Sequence, residues 1–225
     1  MKKIKSPISN IDIFEHFKKV DPVFYKVSML VYKEHGEKIF ELKKPEDLFE
    51  TLCESIVSQQ LSVKAGDTIF GRMLDLLPGR KLTPENILKL KDQDLRDAGL
   101  SWGKVSYLKD LAQKVRDKEV VLEDLDQLSE EEAIKELTKI KGIGKWTAEM
   151  FLMFALGRED VFSHGDVGLQ NAIKKIYKDR LPFDKDGKWK YDPLVVEEII
   201  IKWSPYRTIA ARILWRSLTL KESTP

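Results

Sequence analysis

The sequence contains one cysteine and little of the pattern that marks a β-protein. A lone cysteine, Cys53, excludes a disulfide within the chain, a four-cysteine zinc site and a four-cysteine iron–sulfur cluster. It lies in an apolar run, which predicts a small buried residue. No stretch alternates apolar and polar residues as a strand does, and no hairpin dipeptide joins two strand-like runs. These absences exclude disulfide-stabilised and β-rich classes.

Long hydrophobic runs are also missing. No apolar segment approaches the length of a membrane span, so no membrane association is expected. The opening "MKKIKSPISN" lacks the apolar core of a signal peptide. We therefore expect a soluble, intracellular protein.

Opposite charges nearly cancel, with 39 lysines and arginines against 37 acidic residues and a formal net charge of +2. Locally the balance differs, because Lys139, Lys141 and Lys145 have only Glu149 near them in sequence. A basic patch of this kind is typical of a face that meets a polyanion. Charge clustering alone equally fits a solvated surface, so the patch leaves both interpretations open.

Helical patterns dominate the chain. In "SEEEAIKELTKI", Ser129 and Glu132 have the spacing of a capping box, and an apolar stripe follows. In "LTPENILKL", Thr83 is a candidate N-cap and Pro84 occupies the first helical position. Residues 181–193, "LPFDKDGKWKYDP", form the clearest loop. The sequence predicts an all-α fold.

The stretch "IKGIGKWTAEM" places two glycines between helical patterns. One helix is expected to end near Ile140 and the next to begin near Trp146. Gly142 and Gly144 allow positive φ and a close backbone approach to another molecule, while Ile143 would anchor the turn to the protein. A helix start behind such a turn is an anion site, so a phosphate fits there. A tight helical hairpin without a ligand is the alternative.

Several segments, in order, resemble the helix–hairpin–helix (HhH-GPD) DNA glycosylases. The hairpin "LTKIKGIGKWTAEMFLMFAL" is followed by "EDVFSHGDVGLQ", which supplies the downstream aspartate, Asp166. "FETLCESIVSQQLSVKAGDTIFGRM" resembles the element of that family that probes the minor groove. "GLSWGKVSYLKDLA" and "WSPYRTIAARILWRS" are similar to segments of the DNA-3-methyladenine glycosylase II branch.

The resemblance implies a two-lobed helical fold with the active-site cleft between the lobes. One lobe, residues 46–164, would carry the minor-groove probe and the hairpin. The other would be formed by residues 1–45 and 165–225. The larger bacterial members begin with an extra sheet domain, for which this N-terminus has no room, so we expect the compact form.

The implied activity is that of a monofunctional DNA glycosylase of base excision repair. It would flip alkylated purines of the 3-methyladenine type out of double-stranded DNA and hydrolyse the N-glycosidic bond, leaving an abasic site. Family members that also cut the strand carry a lysine before the "TA" of the second hairpin helix, and Trp146 stands there. The implied enzyme therefore has no lyase activity. We also expect that it requires no cofactor and acts as a monomer.

The resemblance also assigns the reacting groups. Asp166 would be the catalytic carboxylate, which stabilises the positive charge that develops on the sugar. Asp166 also fits the N-cap position of a helix from Val167 to Tyr177, and the catalytic and capping roles are compatible. Trp146 and Trp215, with Tyr107, would line an aromatic pocket for a cationic base.

The remaining assignments concern DNA binding. Gln60 or Leu61 would fill the gap left by the flipped base, and the hairpin would bind the DNA backbone. His164 is interpreted as a pocket or backbone contact without a catalytic role. The DNA-binding hairpin residues are Lys141, Gly142, Ile143, Gly144 and Lys145, and a structural Na⁺ or K⁺ is implied at the backbone carbonyls of Thr138, Ile140 and Gly142.

Two questions stay open at this stage. The preferred lesion could be 3-methyladenine, 7-methylguanine, ethenoadenine or hypoxanthine. The alternative function is a non-catalytic helix–hairpin–helix module that only binds DNA. Asp166 discriminates between the two functions, because a pure binder has no use for a carboxylate facing a phosphodiester.

Overall fold

The computed structural model describes residues 10–41, 45–183, 185–186 and 189–220. Within these ranges the chain is helical, with an isolated β-bridge between Phe183 and Trp189 and no strand, so the all-α class is confirmed. The α-helices are α1 (Asn10–Val20), α2 (Pro22–His35), α3 (Leu48–Ser58), α4 (Val63–Asp75), α5 (Pro84–Lys89), α6 (Asp92–Asp97), α7 (Trp102–Arg116), α8 (Glu130–Leu137), α9 (Lys145–Phe154), α10 (Val167–Tyr177), α11 (Pro193–Ile200) and α12 (Arg207–Ser217).

The helices fall into two compact units. The terminal unit comprises Met1–Leu42 and Arg158–Pro225, and the central unit comprises Lys43–Gly157. The central unit therefore ends at Gly157, whereas the resemblance placed the end of this lobe at residue 164. The Asp160 carboxylate accepts a hydrogen bond from Arg207 Nε at 2.8 Å, and the Val161 N–H donates to Thr208 Oγ1 at 3.0 Å. These bonds tie the segment after residue 157 to α12.

The core of the terminal unit contains a buried carboxylate. Asp21 caps α2 by accepting from the Phe24 N–H at 3.0 Å, and its other oxygen accepts from Tyr177 Oη at 2.6 Å and Trp203 Nε1 at 3.1 Å. Phe24 stacks on Trp203 with 4.3 Å between ring centroids. Burial, reinforced by the charge of Asp21, raises the pKa of Tyr177 strongly. Three donors thus compensate the cost of burying Asp21.

The central unit is organised around α7, which packs against α3, α5 and α6. Leu108 and Leu111 of α7 and Ile56 of α3 are completely buried. Cys53 is buried as well, as its apolar neighbours predicted, and burial raises the pKa of its thiol. The long helix thereby provides the support on which the loops of this unit are placed.

The starts of α5 and α8 agree with the local sequence signals, whereas the end of α8 does not. The Ser129–Glu132 capping box is present, and Thr83 caps α5. Helix α8, however, ends at Leu137 and not near Ile140. The N–H groups of Lys139 and Ile140 donate to carbonyls only three residues earlier, at 3.2 and 3.1 Å. This tighter bonding ends the α-helix before the glycine turn begins.

Candidate functional site

Asp166 is the residue before helix α10, and one of its carboxylate oxygens accepts two hydrogen bonds. Its Oδ1 accepts from the backbone N–H of Leu169 at 2.8 Å and from the indole Nε1 of Trp215 at 2.8 Å. The residue is the N-cap of Val167–Tyr177, so the capping role inferred from the sequence is confirmed. Only 9% of Asp166 is exposed. A carboxylate at a helix N-terminus with two donors on one oxygen has a fixed orientation.

Trp215 lies against the same turn, and a glycine makes this possible. A Cβ on Gly168 would lie 2.9 Å from Trp215 Cδ1, closer than real Cβ contacts, and 3.0 Å from Asp166 Oδ1, at the tight limit of such contacts. A larger residue at 168 would therefore have to displace the indole or the carboxylate. No local sequence signal indicated Gly168. The assignment of Trp215 to a base pocket stays a prediction beside the observed bond to Asp166.

His164 contacts two side chains of the terminal unit. Its Nδ1 lies 2.5 Å from the Tyr191 hydroxyl, and its Nε2 lies 3.0 Å from a carboxylate oxygen of Glu197 in α11. The His164 carbonyl accepts from the side-chain amide of Gln170 at 2.8 Å. His164 thus ties the segment before Asp166 to α11 and to the preceding loop, connections that local sequence did not indicate.

The glycine turn, residues 138–144 between α8 and α9, contains two glycines with different requirements. Gly142 has φ +82°, in the left-handed region that favours glycine. Gly144 has φ −88° and extended geometry, so it does not use the positive φ that a glycine allows. A Cβ on Gly144 would meet no atom within 4 Å. Neither backbone conformation nor protein packing requires a glycine at 144.

Tyr107 packs against the glycine turn. A Cβ on Gly142 would lie only 2.2 Å from Tyr107 Cδ2, so the ring fits closely over the bare backbone. The assignment of Tyr107 to the base pocket, which the resemblance implies, stays a prediction. The observed contact gives Tyr107 a structural role, because it fixes the turn onto α7.

The start of α9 is suited to an anion. Gly144 is its N-cap, and no side-chain hydrogen bond caps this helix end. Ile143 is buried, as its apolar character predicted, while 49% of Trp146 in the first helical turn is exposed. Lys145 Nζ lies 3.8 Å from a carboxylate oxygen of the buried Glu149. A helix N-terminus without a side-chain cap can bind a phosphate oxygen through its N–H groups.

Lys141 is anchored to α7 by an acidic residue that the sequence analysis missed. Its backbone N–H donates to Asp110 Oδ2 at 2.8 Å, and its Nζ lies 3.6 Å from Asp110 Oδ1. Lys139 pairs with Glu136 at 2.5 Å. The basic patch therefore has more acidic partners than its local sequence indicated.

The probe loop, residues 59–62 between α3 and α4, presents exposed side chains. Gln60 has φ +58°, which is uncommon for a residue other than glycine. Gln60 is exposed, and 39% of Leu61 is exposed. The Leu61 N–H donates to the Ser58 carbonyl at 3.1 Å, and Ser62 caps α4. Which of Gln60 and Leu61 acts as the wedge stays open.

The carbonyls assigned to a cation have hydrogen-bond partners and remaining capacity. The Ile140 carbonyl accepts from the Ile143 N–H at 3.1 Å, and the Gly142 carbonyl accepts from Gln59 Nε2 at 2.9 Å. Each carbonyl oxygen has a second lone pair, so these bonds leave room for a hard cation. Across the described ranges, no cluster of three His, Cys, Asp or Glu side chains is arranged to hold a metal ion.

None of the helices in the described residues combines the length and apolar character needed to cross a membrane.

Two helices joined by a glycine turn, with no side chain capping the second, define a helix–hairpin–helix protein. The family model described as HhH-GPD superfamily base excision DNA repair protein matches residues 53–182, more than half of the chain. This range includes the probe loop, the glycine turn and Asp166. The chain belongs to the HhH-GPD superfamily.

Similar proteins cover nearly the whole chain. DNA-3-methyladenine glycosylase 1 of Schizosaccharomyces pombe is 33% identical over 215 residues, 93% of this chain and 88% of the relative. A crystal structure of DNA-3-methyladenine glycosidase from Bacillus halodurans has a TM-score of 0.76 and 34% identity, covering 96% of this chain and 90% of that chain. The S. pombe 3-methyladenine DNA glycosylase in complex with abasic DNA has a TM-score of 0.72 and 29% identity, covering 93% and 98% of the two chains.

Proposed function

We propose that this protein is a monofunctional DNA glycosylase that removes alkylated purines of the 3-methyladenine type from double-stranded DNA. The observation that carries the proposal is the Asp166 carboxylate, held at the start of α10 by Leu169 and Trp215. The relatives named DNA-3-methyladenine glycosylase support the substrate class. The product is an abasic site, the intermediate of base excision repair, and we place the reaction inside the cell.

Cleavage of the N-glycosidic bond of an alkylated purine needs little help from a general acid. Alkylation at a ring nitrogen gives the purine a positive charge, so the base departs with the electron pair of the N-glycosidic bond and becomes neutral. The positive charge passes to the sugar, where a fixed carboxylate stabilises it. Water then bonds to the anomeric carbon and releases a proton. Asp166 supplies the negative charge, and the indole of Trp215 orients it.

Aromatic rings bind the cationic base. An exposed tryptophan face attracts a cation through the ring quadrupole, which favours alkylated over normal purines. Trp146 is half exposed at the start of α9 and fits this role. Trp215 and Tyr107 complete the proposed set, and Tyr107 also supports the glycine turn.

Binding of DNA uses main-chain groups of the glycine turn. The N–H groups at the start of α9 bind a phosphate, and Lys141 and Lys145 add positive charge beside it. The carbonyls of Thr138, Ile140 and Gly142 would hold a structural Na⁺ or K⁺, which would supply further positive charge. Gln60 and Leu61 at the tip of the probe loop fill the gap left by the flipped base. The protein acts as a monomer.

The proposed enzyme lacks lyase activity because no amine stands at the position of the family's nucleophilic lysine. Strand cleavage requires an amine that attacks the sugar and forms a Schiff base. The position of the lysine in bifunctional relatives is taken by Trp146. The neighbouring Lys145 directs its ammonium toward Glu149 at 3.8 Å.

One experiment separates this proposal from a DNA-binding module without activity. The protein is incubated with duplex DNA carrying 3-methyladenine or 7-methylguanine, and alkali then converts abasic sites into breaks. We expect breaks at the alkylated purines, together with release of the free base. Binding of the same duplex without released base would contradict the proposal and favour the module. The same assay with ethenoadenine and hypoxanthine defines the lesion range.

A further inference from the structure

One side chain joins the two DNA-contacting loops of the central unit. The amide Nε2 of Gln59, in the probe loop, donates to the carbonyl of Gly142, in the glycine turn, at 2.9 Å. The two residues are 83 positions apart in the sequence. The main-chain carbonyl of Gln59 also accepts a hydrogen bond, from Lys104 Nζ at 2.8 Å, and the same ammonium donates to the Val57 carbonyl at 2.7 Å.

The acceptor of this bond has a fixed direction. Gly142 has φ +82°, and the Tyr107 ring occupies the space where a Cβ of this residue would lie, so the ring packs closely against this backbone. Gln59 is equally restrained, because Lys104 holds its carbonyl at the end of α3. The next residue, Gln60, turns the chain with φ +58°. The bond therefore connects two rigid backbone segments, and the exposed tip of the probe loop follows immediately after it.

We propose that Gln59 is a positioning residue that sets the probe loop in register with the glycine turn. This inference rests on the proposed function. When the glycine turn binds a backbone phosphate, the bond fixes how far Gln60 and Leu61 lie from that phosphate. The tip then enters the duplex at the nucleotide whose base is flipped. Gln59 acts through Gln60 and Leu61 and need not contact DNA itself.

The test replaces Gln59 by methionine, which has a similar length, carries no charge and cannot donate a hydrogen bond. Gln127→Met is the matched control, because Gln127 is an exposed glutamine of the same unit, at the end of a short 3-10 helix. Single-turnover excision of 7-methylguanine is measured in duplex and in single-stranded DNA. We expect Gln59→Met to lower the duplex rate about tenfold more than the single-strand rate. Gln127→Met should leave both rates unchanged.

The ratio of the two rates keeps the test valid if the variant is less stable. Partial unfolding lowers both rates by the same factor and leaves the ratio at the wild-type value. An unchanged ratio for Gln59→Met therefore overturns the inference. Double-mutant cycles with Gln60→Ala and with Leu61→Ala add a second criterion, because losses that act through the same side chain are not additive. Fully additive losses in both cycles would also overturn the inference.

A measurement without activity separates this inference from the proposed function. If wild type excises no base, the proposed function fails, and the coupling is tested by amide hydrogen exchange in the protein alone. Gln59→Met should accelerate exchange at both Leu61 and Ile143, whose N–H groups donate to the carbonyls of Ser58, at the end of α3, and of Ile140, in the glycine turn. Unchanged exchange at both amides would overturn the coupling.

Discussion

Asp166 has a structural role and a proposed chemical role, and the two roles need different properties of its side chain. Capping α10 requires an oxygen that accepts the Leu169 N–H, and the Trp215 indole requires the same kind of acceptor. Neither contact requires a negative charge. Stabilising a cationic sugar does require one. A single substitution at this residue can therefore separate structure from chemistry.

Asp166→Asn should retain the fold and lose the activity. The asparagine carbonyl oxygen can replace Oδ1 in both hydrogen bonds, so we expect an unfolding temperature close to that of wild type. Affinity for abasic DNA should stay within a few-fold of wild type. The charge is lost, so single-turnover excision of 3-methyladenine should fall by roughly 10²-fold or more. Rapid quenching with quantification of released base measures this rate.

Asp166→Ala is the control for the cap. It removes the oxygen that accepts both hydrogen bonds as well as the charge, and loss of an N-cap costs about 1 kcal/mol. Its unfolding temperature should therefore lie about 2–4 °C below that of the asparagine variant. Excision by Asp166→Asn at the wild-type rate would remove the carboxylate charge from the mechanism.

Between α8 and α9, two glycines that look equivalent in sequence differ in structure. Gly142 is required by its positive φ and by the Tyr107 ring, whereas Gly144 has an ordinary conformation and open space where a Cβ would lie. Apart from the general preference of N-caps for glycine over larger apolar residues, the remaining reason for a glycine at 144 is access by another molecule. This makes Gly144 the better position for testing the contact with DNA.

Gly144→Val should fold normally and bind DNA weakly. Valine adopts extended backbone readily, but its side chain would stand between a phosphate and the N–H groups of α9. Loss of one charge-assisted hydrogen bond corresponds to an affinity decrease of roughly tenfold or more. Fluorescence anisotropy should show this decrease equally for undamaged, alkylated and abasic duplexes, because a phosphate contact carries no sequence information.

Two further glycine variants complete that experiment. Gly71→Val in α4 adds the same side chain at another open position of the central unit and should leave binding unchanged. Gly142→Ala should lower the unfolding temperature, because its Cβ would collide with Tyr107. Wild-type affinity of a folded Gly144→Val protein would make the glycine turn a structural element only.

The predictability of these elements from sequence depends on how far apart the interacting residues are. The capping box of α8 and the Asp166 cap of α10 involve residues three positions apart, and both were predicted. The bonds Asp110–Lys141, Trp215–Asp166 and Gln59–Gly142 span 31, 49 and 83 positions. No local pattern encodes such pairs, since they form only when helices pack. Gly168 was missed for the same reason, because its constraint is the indole of a distant helix.

At the scale of the whole molecule, stability should depend on pH through the buried core of the terminal unit. Burial and the nearby Asp21 raise the pKa of Tyr177 above that of tyrosine in an unfolded chain, about 10. Above that pH the unfolded state loses the Tyr177 proton while the folded state retains it. The free energy of unfolding therefore falls as pH rises above about 10, and this contribution is fully present below it.

Tyr177→Phe isolates that proton. The variant should lose about 1 kcal/mol near neutral pH, because the hydrogen bond to Asp21 is removed. Above about pH 10 its free energy of unfolding should fall less steeply than that of wild type, by up to about 1.4 kcal/mol per pH unit. Urea unfolding across this range measures both slopes. Parallel slopes would show that Tyr177 titrates similarly in the folded and unfolded states.

The complete enzyme should release bases without forming a covalent bond to DNA. A Schiff base requires an uncharged amine at the anomeric carbon, and the indole nitrogen of Trp146 is not nucleophilic. Lys145 is one residue away, which along a helix turns its side chain about 100° from that of Trp146. Its ammonium also lies 3.8 Å from the carboxylate of Glu149, one helical turn further along α9.

With alkylated duplex and borohydride, denaturing gels should show no protein–DNA adduct, while alkali reveals abasic sites in the same samples. A bifunctional glycosylase treated in parallel confirms that the trap works. A robust adduct that disappears in Lys145→Ala would instead identify Lys145 as the nucleophile, and the enzyme would be bifunctional.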